Sequence, residues 1–89
     1  MTYRTEQDII ASLLEVANSK REGCSKTDIL YGARLTYFQL VRTYLPMVIN
    51  HKLVSYNESK NVYKITEKGL KVLSLQTEYA QLMKTNLVN

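Results

Sequence analysis

The sequence predicts a mainly α-helical fold with one small β-hairpin and a long C-terminal helix. Three observations predict it. Hydroxyl side chains stand at the start of several helical patterns, where they can accept hydrogen bonds from unpaired backbone N–H groups. One central segment carries an apolar stripe at helical spacing. Two short β-prone runs flank a polar loop just before the last helical pattern.

Capping chemistry predicts where the helices begin. Thr5, Ser25, Thr36 and Thr66 each precede a helical pattern. We expect a complete capping box only at Thr36, because the glutamine three residues later is a better return arm than the aspartates that follow Thr5 and Ser25. The predicted bounds are about Glu6–Asn18, Lys26–Tyr31 and Tyr37 onward for the first three helices, Leu53–Tyr56 and Val62–Ile65 for the strands, and Glu67–Asn86 for the last helix.

The third helix carries the clearest apolar stripe. Its predicted buried positions are Tyr37, Leu40, Val41, Tyr44, Leu45 and Val48. Pro46 lacks an N–H and crowds the carbonyl of Arg42, so we expect a kink or an early end near Leu45. Asn50 is the expected left-handed residue after this helix.

A short helix, a tight turn, a striped helix and a hairpin, in this order, form a helix-turn-helix with a wing. Within one structural unit, residues 1–66 are the predicted winged helix-turn-helix and residues 67–89 the C-terminal helix. A chain of 89 residues has room for one modest core. Cys24 is the one cysteine, and we interpret it as a buried or half-buried spectator thiol rather than a reactive one.

The net charge of +4 is concentrated in the middle of the chain. Residues 20–64 hold eight basic and three acidic side chains, a net charge of +5, whereas residues 1–19 have a net charge of −2. This asymmetry favours a polyanionic partner, although a solvated basic surface would have the same pattern. No apolar run approaches the roughly 20 residues of a membrane-spanning helix. The first residues lack the layout of a signal peptide, so we expect a cytoplasmic protein.

Two surfaces are candidates for contact with double-stranded DNA. The third helix presents side chains that pair with base edges, while the start of the second helix and the hairpin are placed to contact the backbone. The candidate DNA-binding residues are Ser25, Lys26, Arg34, Thr36, Phe38, Gln39, Arg42, Thr43, Lys60, Asn61 and Lys64. The alternatives are that the polar face of the third helix contacts only water and that the hairpin tip is an ordinary charged loop. Phe38 either contacts DNA or rests against the neighbouring helix.

The last helix has a wider apolar arc than one small domain needs for its own cover, which favours self-association. The predicted interface residues of this homodimer are Val72, Leu75, Tyr79, Leu82, Met83 and Asn86. The alternative is a helix that folds back on its own domain.

No pattern in the sequence indicates catalysis, a cofactor or a metal site. His51 is the sole histidine and has no carboxylate or nucleophile at local spacing. There is also no glycine-rich phosphate loop. We therefore expect a protein that is not an enzyme.

Five segments together resemble archaeal winged-helix DNA-binding proteins: Ile9–Val16, Lys26–Ile29, Leu35–Leu40, Leu53–Val54 and Tyr63–Leu70. The nearest type is the ten-kilodalton Sulfolobus chromatin-type group, which includes versions carried by archaeal viruses and plasmids. The resemblance implies a dimeric antiparallel coiled coil of the C-terminal helices. It also implies that the third helix from Thr36 to Thr43 is the recognition element and that Lys60–Lys64 is the wing.

These features predict a dimeric transcriptional regulator that binds double-stranded DNA in the nucleoid. The alternatives are a non-specific chromatin-type architectural protein and a winged-helix module that binds another protein without nucleic acid. A ligand-sensing regulator is a more distant alternative, because no effector pocket is legible in the sequence.

Overall fold

The structure, a computed structural model, describes residues 4–85. Its element order confirms the predicted succession of a helix, a short helix, a third helix, a hairpin and a long helix. The helices are α1 (Glu6–Ala17), α2 (Lys26–Gly32), α3 (Tyr37–Gln39), α4 (Leu45–Asn50) and α5 (Glu67–Thr85), and the strands are β1 (Val54–Asn57) and β2 (Val62–Ile65). A π-helical turn, Leu40–Tyr44, joins α3 to α4.

A single core forms where α1, α2, the third helix and the hairpin meet. Leu13 and Leu14 of α1, Ile29 of α2, and Leu40 and Val48 of the third helix have no exposed surface. Burying each of these side chains contributes about 1.5–3 kcal/mol from the hydrophobic effect. The core therefore fixes the relative positions of the elements that carry the candidate site.

Complete capping boxes start α1, α2 and α3. The N–H of Asp8 donates to Thr5 Oγ1 and the N–H of Thr5 donates to Asp8 Oδ2, both over 3.0 Å. Ser25 and Asp28 exchange the same two bonds, over 3.0 and 3.1 Å. The prediction that only Thr36 would have a full box was wrong, because the extended backbone of each cap residue brings its N–H within reach of the shorter aspartate.

The third helix is continuous from residue 37 to residue 50, so of the two expected outcomes, a kink or an early end near Leu45, the early end does not occur. The chain makes a π-helical turn instead, in which the N–H of Leu45 donates to the carbonyl of Leu40, five residues earlier. This wider turn lies directly before Pro46, which is in the first turn of α4. The widening relieves the contact between the proline ring and the carbonyl four residues earlier, so the helix passes the proline unbroken.

The π-helical turn also decides which side chains of the third helix are buried. Leu40, Leu45 and Val48 are buried, at a spacing of five and then three residues, whereas Tyr37 is 62% exposed. The prediction that Tyr37 belongs to the buried stripe was wrong. Tyr37 is the first residue of the helix, none of the three residues of α3 is buried, and the core contacts of the third helix begin at Leu40.

Two residues other than glycine reverse the chain after helices. Arg34 follows α2 with φ of 56°, and Lys52 follows α4 with φ of 62°. Asn50 is still helical, so the prediction that it takes the left-handed conformation was wrong. The N–H of His51 still bonds helically to the carbonyl of Met47, and the chain therefore reverses only at Lys52.

The hairpin is attached to the segment that enters α2. The N–H of Cys24 donates to the carbonyl of Tyr63 over 2.9 Å, and the N–H of Tyr63 donates to the carbonyl of Cys24 over 2.7 Å. Gly23 has φ of 103°, and a Cβ there would lie 2.8 Å from the Tyr63 carbonyl oxygen. Only glycine accommodates both the backbone angle and this approach. Cys24 is 1% exposed, in agreement with its interpretation as a buried thiol.

Thr66 joins the hairpin to α5. Its Oγ1 accepts from the N–H of Gly69 over 2.9 Å and can donate to the carbonyl of Lys52 over 2.7 Å. Its N–H donates to the carbonyl of Leu53 over 3.0 Å. This confirms Thr66 as the cap of the last helix. Because the first turn of α5 lies against the Leu53 carbonyl, a Cβ on Gly69 would be only 2.1 Å from that oxygen.

The two halves of α5 differ in burial. Val72 and Leu73 are half-buried and pack against the core, and Gln76 Nε2 donates to the carbonyl of Gln7 in α1 over 3.3 Å. Every side chain from residue 77 to residue 84 is exposed. Beyond Gln76, the described part of α5 therefore does not fold back on its own domain. Asn86, a predicted interface residue, lies outside the described residues.

We expect Gly69→Ala to lower the free energy of unfolding by about 1–3 kcal/mol, because the new methyl group overlaps backbone that cannot move freely. Urea denaturation at fixed protein concentration measures the change. The matched control is Ser74→Ala, an exposed position on the same helix, which should change stability by less than about 0.5 kcal/mol. Equal stability of the two variants would contradict this account of the junction.

Candidate nucleic-acid interface

The third helix presents a continuous polar and aromatic surface away from the core. Phe38, Gln39, Arg42 and Thr43 are all exposed, as predicted from the apolar stripe. Phe38 is 65% exposed and does not rest against a neighbouring helix. The structure thus brings together the four predicted residues that lie within this helix. Thr36 stands at its start.

Arg42 and Phe38 form a stacked pair on this surface. The guanidinium carbon of Arg42 lies over the Phe38 ring, 5.4 Å from its centroid, at a distance typical of a cation–π interaction. Arg42 forms no ion pair with another residue of the described range 4–85. Within the described residues, its hydrogen-bond donors are therefore not occupied by a carboxylate.

Thr36 and Gln39 are occupied by the capping box of α3. The N–H of Gln39 donates to Thr36 Oγ1 over 3.1 Å, and the N–H of Thr36 donates to Gln39 Oε1 over 3.0 Å. Recognition of adenine by glutamine uses both atoms of the amide. Gln39 would have to give up the cap, at a cost of about 1 kcal/mol, to pair in this way. Arg42 is therefore the better placed of the two for base contact.

A cleft of about 320 Å³ lies between the start of α2 and the hairpin. Two predicted backbone-contact residues of α2 and one of the hairpin share it. Tyr56 donates from its hydroxyl to Asn61 Oδ1 and stacks on Tyr63, with ring centroids 4.7 Å apart. The lining residues are Ser25, Lys26, Thr27, Tyr56, Asn61 and Tyr63.

The remaining basic candidates differ in whether their charged groups have an ion-pair partner among residues 4–85. Lys60 Nζ is 3.2 Å from Glu22 Oε1, so its charge is already paired. Lys64 is exposed on β2 opposite Ser55 and has no such partner among residues 4–85. Arg34 is exposed in the turn before α3, and its carbonyl accepts from Arg4 Nη1 over 3.2 Å. Lys26 and Lys64 are thus better placed than Lys60 to contact a phosphate.

Sequence reasoning assigned neither Thr27 nor Tyr56 to the candidate site. Tyr56 faces the cleft because it pairs with Tyr63 across the hairpin, and the backbone groups of Tyr63 are bonded to Cys24. The alternation of β1 indicates that Tyr56 and Val54 share a face, but not that this face meets α2. Thr27 had no signal beyond its place in the first turn of α2.

Lys20 and Asp28 form an ion pair that ties the turn after α1 to α2. Lys20 Nζ is 3.0 Å from Asp28 Oδ2. The hydrogen bond from Lys20 holds the pKa of Asp28 below its ordinary value, and the N–H of Ser25 lowers this pKa further. The same bond raises the pKa of Lys20. The pair helps to hold the capping box at Ser25, one wall of the cleft.

Neither metal binding nor a membrane span has support in the described range. Residues 4–85 contain no group of three or more histidine, cysteine, aspartate or glutamate side chains that could hold a metal ion. No helix among them is long and apolar enough to cross a membrane.

A second, larger concavity of about 950 Å³ lies between α1 and α5. One wall carries Asp8, Ala11 and Glu15 of α1. The other wall carries exposed apolar side chains of the last helix, including Leu75, Tyr79 and Met83. These belong to the predicted dimer interface, whereas Val72 already packs partly against the core of its own domain.

Comparison with known proteins gives a family for this chain and a solved structure of similar fold. The sequence pattern of the family described as winged helix-turn-helix matches residues 3–84. Among solved structures, the chain is similar to the crystal structure of Sso10a-2, a DNA-binding protein from Sulfolobus solfataricus. The TM-score is 0.72 and the sequence identity 23%, over 91% of this chain and 83% of that one, which is a likeness of fold. No curated protein sequence matches the chain.

We expect Lys20→Met to raise the pKa of Asp28 only part of the way to its ordinary value, because the hydrogen bond from Ser25 remains. A carboxyl NMR titration measures this pKa. Lys60→Met removes the other ion-paired lysine and should leave the pKa of Asp28 unchanged.

The same ion pair predicts a pH dependence. Because the pKa of Asp28 is lower in the folded than in the unfolded chain, its stabilisation is present above the unfolded pKa and is lost as the pH falls through the folded pKa. The stability difference between wild type and Lys20→Met should shrink over this acidic range. A difference that stays constant would contradict the assignment.

Proposed function

The chain belongs to the winged helix-turn-helix family, and from this premise we propose that it is a dimeric transcriptional regulator that binds double-stranded DNA. The observation that carries the proposal is the exposed Arg42–Phe38 pair on the third helix, the element that enters the major groove in helix-turn-helix proteins. The structural neighbour is described as a DNA-binding protein, which agrees with this function.

The cleft between α2 and the hairpin is the proposed contact with the sugar–phosphate backbone. It combines the ammonium group of Lys26 with the hydroxyls of Ser25 and Thr27 and the amide of Asn61. These are the side-chain types that bind phosphate oxygens and set the register of a protein on the duplex. Lys64 adds a further exposed positive charge on the hairpin. The net charge of +5 over residues 20–64 supports the same assignment.

A second copy of the chain is the proposed occupant of the exposed half of α5. Leu75, Tyr79, Leu82 and Met83 are 54–65% exposed along this helix. Contiguous apolar surface of this kind marks an interaction site, and pairing with an identical helix would remove it from water on both copies. The antiparallel coiled coil implied by the resemblance to the Sulfolobus group would use this surface.

Dimerisation would give the regulator two recognition helices, one from each copy of the chain. In helix-turn-helix dimers the two recognition helices contact half-sites that lie about one helical turn of DNA apart. Binding of this kind needs no catalytic group, and we assign the protein no enzymatic step. Its proposed place is on chromosomal DNA in the cytoplasm.

For DNA binding, we expect the affinity for a duplex to fall steeply as salt rises, because phosphate contacts release counterions. Lys26→Ala and Lys64→Ala should each weaken binding to all sequences alike, and each should reduce the salt slope by about 1. Fluorescence anisotropy with labelled duplexes measures both quantities.

Lys71→Ala is the matched control, because it removes the same charge from the exposed surface of α5. It should leave the salt slope unchanged. If the full-length protein binds no duplex even at low salt, the proposed function is wrong.

For the dimer, light scattering should give twice the chain mass of 10.3 kDa. Leu75→Glu should shift the protein to the monomer mass, because a carboxylate in a closed apolar interface loses its hydration without a partner. Ser74→Glu places the same charge at an exposed polar position of α5 and should remain dimeric. A wild-type protein with the monomer mass at micromolar concentration would contradict the dimer.

A further inference from the structure

We infer that Phe38 and Arg42 act together as one reading unit, which selects a guanine with a thymine at the neighbouring base step. The inference rests on the proposed DNA binding and adds the base sequence that the third helix prefers. The guanidinium carbon of Arg42 lies over the Phe38 ring, 5.4 Å from its centroid, and both side chains are exposed.

The guanidinium supplies the guanine contact. Arginine donates two parallel hydrogen bonds to O6 and N7 of guanine in the major groove, and its planar fork fits these acceptors better than a lysine does. Arg42 has no ion pair within residues 4–85 that would compete for these donors. The neighbouring Gln39 is held by its capping bond to Thr36. Arg42 is therefore the best placed base-reading residue of this helix, whereas the Oε1 acceptor of Gln39 is shared with the cap.

The ring supplies the thymine contact. A guanidinium that pairs with both acceptors of guanine lies near the plane of that base. The Phe38 centroid lies 5.4 Å from the guanidinium carbon, which is more than the base step of about 3.4 Å, so the near edge of the ring can reach the neighbouring base pair. The apolar group that a base pair presents in the major groove is the C5 methyl of thymine. Phe38, 65% exposed, is free to contact it.

The π-helical turn contains one of the two residues of the pair. Arg42 lies within Leu40–Tyr44, whereas Phe38 lies in α3 before it. The two residues are four apart in the sequence, a spacing at which side chains on a helix surface are neighbours. The pair is thus held by the backbone of the helix as well as by the attraction between ring and cation.

Selection from a library of randomised duplexes, using the full-length protein, is the first part of the test. We expect enrichment of a guanine next to a thymine. In the enriched duplex, replacing the thymine by deoxyuridine removes only the methyl group and should weaken binding about fourfold. Replacing the guanine by 7-deazaguanine removes the N7 acceptor and should also weaken binding.

Two variants connect these effects to the residues. Phe38→Ala should bind thymine and deoxyuridine duplexes equally. Arg42→Lys keeps the charge but should lose the roughly 5- to 150-fold discrimination that a bidentate guanine contact supplies. Both positions are exposed, and unchanged melting temperatures would verify that each variant is folded. Asn50→Ala, at an exposed position near the end of the same helix and outside the candidate DNA-binding residues, should retain the thymine and guanine preferences.

The outcomes separate this inference from the function on which it rests. Salt-dependent binding without enrichment of thymine beside guanine, or an equal loss of affinity on deoxyuridine in wild type and Phe38→Ala, would overturn the reading unit and leave DNA binding intact. Absence of binding to every duplex at low salt would overturn the proposed function, and the inference with it.

Discussion

The reciprocal backbone bonds between Cys24 and Tyr63 are the constraint on which the rest of the site depends. They attach the hairpin to the residue just before the Ser25 cap, so the hairpin cannot move independently of α2. The side-chain pair Tyr56–Tyr63 then lies beside the first turn of α2 and encloses the cleft. Gly23 makes this approach possible because a Cβ there would meet the Tyr63 carbonyl oxygen. The geometry of the backbone-contact surface therefore follows from two main-chain hydrogen bonds.

In the third helix, the packing of the core side chains and the presence of Pro46 impose different requirements on the backbone. Leu40, Leu45 and Val48 must all face the core, and Pro46 cannot supply a backbone donor. The π-helical turn meets both conditions, since it shifts the register by one residue before the proline. Tyr37, at the start of the helix, is exposed, so the surface of this helix is more aromatic than its periodicity indicates.

Local chemistry made most of the fold predictable. The hydroxyl caps, the polar hairpin tip and the long C-terminal helix each depend on residues close together in the sequence, and the structure has each of them where it was expected. The exposed surface of the third helix was predictable for the same reason. The errors at Tyr37 and Asn50 concern phase and turn position, which depend on contacts between distant residues. The cleft was only half predictable, because Ser25 and Asn61 meet only through tertiary packing.

The sequence by itself determined the order of the elements, the starts of the helices and the placement of basic charge in residues 20–64. Capping, alternation and charge are properties of neighbouring residues, so they are legible without a fold. Only the tertiary structure decided that Lys60 is paired with Glu22, that Gln39 is engaged in its cap, and that Arg42 stacks on Phe38. Each of these contacts depends on which of several possible partners lies within reach of the side chain in the folded chain. They distinguish side chains that are free to bind from those whose polar atoms are already engaged.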